Sequence, residues 1–198
     1  MIPVKMLPKP SDFNEKVRKP GQKFLSTASR PIKEKDWKGK EYWRKVIPEL
    51  REGHRHICAY AALWISKLTG SPTVDHYIPK KDDPDSAYEW ENFRLSCLTM
   101  NSRKKHFRDV LDPFEIKDGW FTIDFSTFVI HPNPTLPVSI KKQVDATIKR
   151  LKLNTDEMCI AVRREWFECF ETGCMNFKLL EERAPFIAYE ARRQGLVR

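Results

Sequence analysis

Residue types that could do chemistry together are concentrated in residues 73–107, TVDHYIPKKDDPDSAYEWENFRLSCLTMNSRKKHF. Asp75 and His76 stand side by side, Asn92 follows His76 by 16 residues, and Asn101 follows Asn92 by nine. One carboxylate, one imidazole and two amides suit metal-assisted hydrolysis of a phosphodiester. A hard divalent cation such as Mg²⁺ takes oxygen donors and keeps several waters, so one carboxylate (Asp75) and one amide carbonyl (Asn101) form a sufficient protein share. Such an ion neutralises charge on the scissile phosphate and the leaving oxygen. An imidazole with an ordinary pKa of about 6.5 can take a proton from the attacking water, which makes His76 the expected general base. Asn92 is suited to pinning the loop behind His76 through its amide. Arg103, Lys104 and Lys105 are expected on a helix beside backbone phosphates. Each residue also has a plainer role open to it: a buried structural histidine, a helix-capping asparagine, a solvated basic helix face.

These side chains must be brought together by local structure. Thr73–Ile78 is rich in β-formers and is stopped by Pro79, so it reads as a strand. Neighbours on a strand face opposite ways, and Asp75 and His76 can serve one site only at a strand end or bulge. Lys80–Asp85 reads as a loop. Glu91–Phe107 reads as a helix with Phe93, Leu95, Leu98 and Met100 inward. From Asn101 to His106 is about 500° of helix, which turns His106 away from the site. Before this stretch, Trp43, Val46, Ile47 and Leu50 have helical spacing, ending at Gly53. After it, Trp120–Ile130 reads as a hairpin, and Val138–Leu151 as a helix. A further helix is expected to be capped by Asn154 or Thr155, to bury Met158, Val162, Trp166 and Phe170, and to stop before Gly173. A last helix over about 176–193 is broken by Pro185. The fold class expected is α+β, with a small central core, a basic arm over residues 1–35, a core over 36–110 and a mostly helical region over 111–198 as a partner-docking surface.

The chain has 198 residues, 36 Lys or Arg against 27 Asp or Glu, and a net charge of +9. With 40% apolar residues it can bury a core, which excludes wholesale disorder. No apolar run reaches the roughly 18 residues of a membrane span, so a cytoplasmic protein without membrane contact is expected. Residues 1–40 hold eleven Lys or Arg against four Asp or Glu. An extended basic arm there would neutralise phosphates or meet a partner protein. Five cysteines without a CxxC pair fit free thiols.

The ordered set Asp75-His76, Asn92 and Asn101-x-x-Lys104 resembles the HNH, or ββα-metal, endonuclease family. The resemblance implies a small ββα-metal core, Asp75 and Asn101 as ligands of one divalent cation (Mg²⁺, with Mn²⁺ an alternative), His76 as general base and Asn92 as the structural asparagine. Cys58-Ala-Tyr-Ala61 and Cys97-Leu-Thr-Met100 stand where many members carry two CxxC pairs. With each second thiol replaced, no complete four-cysteine structural zinc site is expected. The wider order is similar to the HNH subunit of Septu-type and retron-associated anti-phage systems: Cys-Ala-Tyr before Asp-His, Pro-Lys after it, Trp-x-Asn-x-Arg-Leu-x-Cys before Asn101, then Leu111-Asp-Pro-Phe114. That similarity implies a nucleic-acid substrate and an ATPase subunit as partner. The alternative is a catalytically degenerate module of the same fold that binds nucleic acid or a partner protein.

Overall fold

β-Branched Thr73 and Val74 lie in the first strand, β1 (Pro72–His76), which pairs antiparallel with β2 (Phe93–Cys97). Val74 faces Leu95 across the ladder, Asp75 faces Arg94, and His76 faces Phe93. The computed structural model describes residues 1–66 and 70–197. The fold is α+β: among the described residues it has seven α-helices and two separate two-stranded antiparallel sheets. The chain divides into two compact units, Lys5–His56 with Ile65–Arg108, and Met1–Val4 with Ile57–Trp64 and Asp109–Arg198.

In the first of these units α1 (Lys19–Thr27) and α2 (Ile47–Gly53) precede β1, and α3 (Leu98–Lys104) follows β2 directly. The structure therefore corrects the helix expected over Glu91–Phe107: its first half is β2. Phe-Arg-Leu-Ser-Cys alternates apolar and polar residues, and pairing with β1 outweighs the helical spacing that Leu95 and Leu98 suggest. Phe93, Leu95 and Met100 are buried as expected, whereas Leu98 is exposed. The helix expected before Gly53 is a 3-10 turn, Tyr42–Val46, running into α2, with Pro48 in the first turn of α2.

The expected extended arm over residues 1–35 is also corrected. A π-helical turn, Asn14–Arg18, leads into α1. Phe13 and Val17 are fully buried, and Gly21 continues their spacing of four. That helical period lies among the lysines and prolines of the segment, and its burial outweighs their preference for an open chain. Its cations are also partly committed, because Arg18 pairs with Glu89 at 3.0 Å and Arg30 with Asp85 at 2.6 Å. Gly21 permits a close approach: a Cβ there would lie 2.2 Å from Cγ of the buried Tyr88 ring. Gly21→Ala should gain about 1 kcal/mol of helix propensity. It should also incur about 1–3 kcal/mol or more of overpacking, because a ring held on all sides cannot retreat. A net lowering of the urea midpoint is the expected result, and an unchanged or raised midpoint would contradict this packing.

The second unit carries β3 (Phe121–Asp124) and β4 (Val129–Pro132), paired with Ile123 opposite Ile130. Four helices follow: α4 (Val138–Arg150), α5 (Glu157–Glu171), α6 (Phe177–Arg183) and α7 (Pro185–Arg193). Hairpin, helix and Pro185 break fall where the sequence places them. The face of α5 does not: Cys159, Arg163 and Phe167 are buried while Met158 is 74% exposed. The fixed point is Arg163, whose guanidinium donates to the carbonyls of Phe128 and Leu153. Asp156, rather than Asn154 or Thr155, caps α5, since its side chain accepts from the Met158 N–H. Asn154 instead binds both backbone groups of Ile130 on β4. Among the described residues no helix is long and apolar enough to cross a membrane.

Candidate active site

The last residue of β1 is His76, and beyond it the chain turns into the loop that leads back to β2. Adjacent strand residues can therefore serve one space: Asp75 and His76 both line a cavity of about 410 Å³, together with Asn101 from α3. A neighbouring cavity of about 310 Å³ shares His76, Asn101, Glu34 and Lys80 with it.

Aromatic rings back His76. Trp43 meets it edge-on at a ring separation of 4.6 Å, and Phe93 at 5.4 Å. Its Nε2 lies 2.9 Å from the Ala87 carbonyl. A carbonyl only accepts, so Nε2 carries the proton in the neutral ring and Nδ1 is the basic nitrogen. Burial, reinforced by the charge of Lys80, pushes the His76 pKa down to about 3. The ring is thus neutral at physiological pH.

Asn92 closes the loop between the strands. Its Oδ1 accepts from the Ile78 N–H at 2.7 Å, while its Nδ2 donates to the carbonyls of Ile78 and Ser86 and to the Ser86 hydroxyl. Three of these bonds grip backbone on both sides of the loop that presents Ala87 to His76. Asn101 is held in a complementary way. Its Nδ2 donates to Thr73 Oγ1 at 3.0 Å and to the Val74 carbonyl at 3.4 Å. Both bonds use the amino end, and among the described residues nothing donates to its Oδ1.

Lys104 corrects the expectation of a phosphate-facing residue. It is 0% exposed, and its ammonium sits 3.2 Å from Asp75 Oδ2, with Asp75 itself 2% exposed. The same ammonium donates to the carbonyls of His76 at 2.9 Å and Tyr77 at 3.0 Å. It is a staple between α3 and the end of β1, and it cannot also reach solvent. Lys105 is exposed and lines the 410 Å³ cavity, whereas Arg103 is only half-buried and lines neither cavity. His106 departs from the expected direction as well. Lys105 takes a positive φ of 49° after the last turn of α3, which bends the chain so that His106 lines the same cavity as Asn101.

Lys80, Trp37 and Trp43 are the site residues that the spacing of Asp, His and Asn did not bring out. Lys80 Nζ lies 4.9 Å from the Trp37 ring centre and 4.7 Å from that of Trp43. The signal was the basic residue directly after Pro79, where the strand has to end.

The donor set suits a hard divalent cation in kind: one carboxylate and one amide oxygen with its amino end already tied down. Among the described residues no group of three or more His, Cys, Asp or Glu is placed to hold a metal. A site of the present kind, with one carboxylate, one amide and the rest water, does not require one. No protein-family model and no curated protein matches this chain.

Proposed function

We propose that the chain is a metal-dependent nuclease of the HNH, or ββα-metal, type that hydrolyses phosphodiester bonds of DNA or RNA. The observation that carries this reading is the convergence of Asp75, His76 and Asn101 on one cavity, with Asn92 clamping the loop between the two strands. The order strand, loop, strand, helix supports it, since β1, β2 and α3 follow one another directly. A divalent ion held by Asp75 and Asn101, Mg²⁺ or Mn²⁺, would supply charge neutralisation at the phosphate and leaving oxygen. Nδ1 of His76 accepts the proton of the attacking water, while the Ala87 carbonyl holds the ring in the right tautomer. Lys104 keeps Asp75 oriented. The resemblance of the wider sequence to anti-phage HNH subunits extends the proposal to an effector acting with an ATPase subunit.

A buried cation already beside Asp75 favours one alternative, a binding module of this fold without catalysis. Calorimetry separates the two. The nuclease should bind Mn²⁺ in a manner lost in Asp75→Ala and weakened in Asn101→Ala, and should cut plasmid DNA or transfer RNA only without chelator, with the ATPase present. Metal binding indifferent to both substitutions would leave only the module.

A further inference from the structure

The cavity beside His76 holds a cation that the hydrolytic set does not use. We propose that Lys80 is a substrate-binding residue that grips the phosphate entering the His76–Asn101 cavity. The proposal rests on the nuclease reading for the place of that phosphate, and on separate geometry for the grip.

Lys80 lines both cavities that His76 and Asn101 line. Its ammonium lies over two indole faces, Trp37 and Trp43, and Trp43 also meets the His76 ring. Rings on two sides fix where the charge sits, and the charge therefore stands next to the base without a flexible search. The side chain is 21% exposed, so a phosphate reaching it meets a cation already stripped of much of its water. Among the described residues, Glu34 alone comes within ion-pair range, at 4.0 Å, and Glu34 is 90% exposed. That distance is the outer limit of an ion pair, and so exposed a carboxylate can swing into water when an anion arrives. Lys104, by contrast, is fully buried, with its ammonium already within 3.2 Å of Asp75 and of two carbonyls. Of these two lysines near His76, only Lys80 is placed to receive a phosphate.

A plainer role is structural: Lys80 fills the space between two indoles and contributes to folding alone. Salt dependence distinguishes the two, because only a residue that neutralises a phosphate releases a counterion on binding. Binding of a labelled DNA duplex and of an RNA hairpin is measured in chelator, so that nothing is cut, over a range of salt. For Lys80→Met the slope of log K against log salt should fall by about 0.9 on the duplex, with Lys80→Arg restoring most of it. Lys80→Gln serves in place of Lys80→Met if the latter fails to fold. Cleavage with Mn²⁺ and the ATPase should fall on the order of 10²-fold in Lys80→Met. An unchanged slope on both probes, or no binding to either by the wild type, overturns the role of Lys80. Loss of cleavage in His76→Ala alongside that unchanged slope would leave the nuclease reading standing. A reduced slope with cleavage indifferent to His76 would do the reverse, keeping Lys80 as a phosphate contact and removing the hydrolytic site.

Discussion

Replacing His76 with alanine should lower phosphodiester cleavage by about 10²–10⁴-fold, the range that a positioned general base contributes. Metal binding should persist, because the ligands proposed for the ion are Asp75 and Asn101 rather than the ring, whose Nε2 is turned to the Ala87 carbonyl. The low pKa of His76, about 3, makes the base always available but intrinsically weak. An incoming phosphate offsets the Lys80 charge that helps to depress it, so proton affinity rises when substrate is present. The acid limb of the cleavage profile should accordingly lie well below pH 6.5. The same burial leaves a second trace, in the stability of the metal-free protein. Between about pH 3 and 6.5 the unfolded chain binds a proton at His76 that the folded chain refuses. Stability is therefore present above 6.5 and is lost as pH falls through that window, by at most on the order of 5 kcal/mol. His54, pushed down to about 4 mainly by burial, acts in the same direction. Urea midpoints at neutral and acid pH should differ less in His76→Ala than in the wild type. Equal cleavage by the two proteins, or equal acid sensitivity, would contradict this account.

The convergence of Asp75, His76 and Asn101 on one cavity was largely legible in the sequence because its signals are local. Asp75 and His76 are adjacent, Pro79 marks the end of their strand, and Asn92 and Asn101 follow at distances that one loop and one short strand can span. What was not legible depends on pairing and on burial. Phe93–Cys97 becomes a strand because β1 lies beside it, which no local propensity records. Phe13 and Val17 form an apolar stripe one residue wide within a strongly charged stretch, and only the ring of Tyr88 against Gly21 shows what covers the adjoining turn. In α5 two stripes one residue apart were both available, and the buried guanidinium of Arg163 selects the one with fewer large apolar residues. Lys104 and Lys105 look alike in sequence, yet the last turn of α3 directs one into the core and the other to solvent.

That division of labour between neighbouring lysines leads to the largest stability effect expected of any single change here. Lys104→Met should cost about 3–5 kcal/mol in metal-free protein, because it removes the buried ammonium 3.2 Å from the buried Asp75 carboxylate. Two carbonyls, of His76 and Tyr77, lose the same donor and add to the loss. Methionine is close to lysine in length, so a cavity contributes little and the effect reports charge and hydrogen bonding. A divalent cation can then take over part of the lost role. With Lys104 present, an ion arriving at Asp75 meets a carboxylate already ion-paired and a like charge 3.2 Å from its Oδ2. Without Lys104 that repulsion is gone, and the ion replaces the positive charge that was removed. Mn²⁺ should accordingly raise the melting temperature of Lys104→Met more than that of the wild type, since a ligand stabilises in proportion to its affinity for the folded state. Cleavage should nevertheless fall, because Asp75 is no longer held by a staple shared with the backbone of His76. A loss below about 1 kcal/mol would place this ion pair among surface pairs of little worth. A variant whose melting is indifferent to Mn²⁺ would mean that Asp75 takes no part in holding a metal.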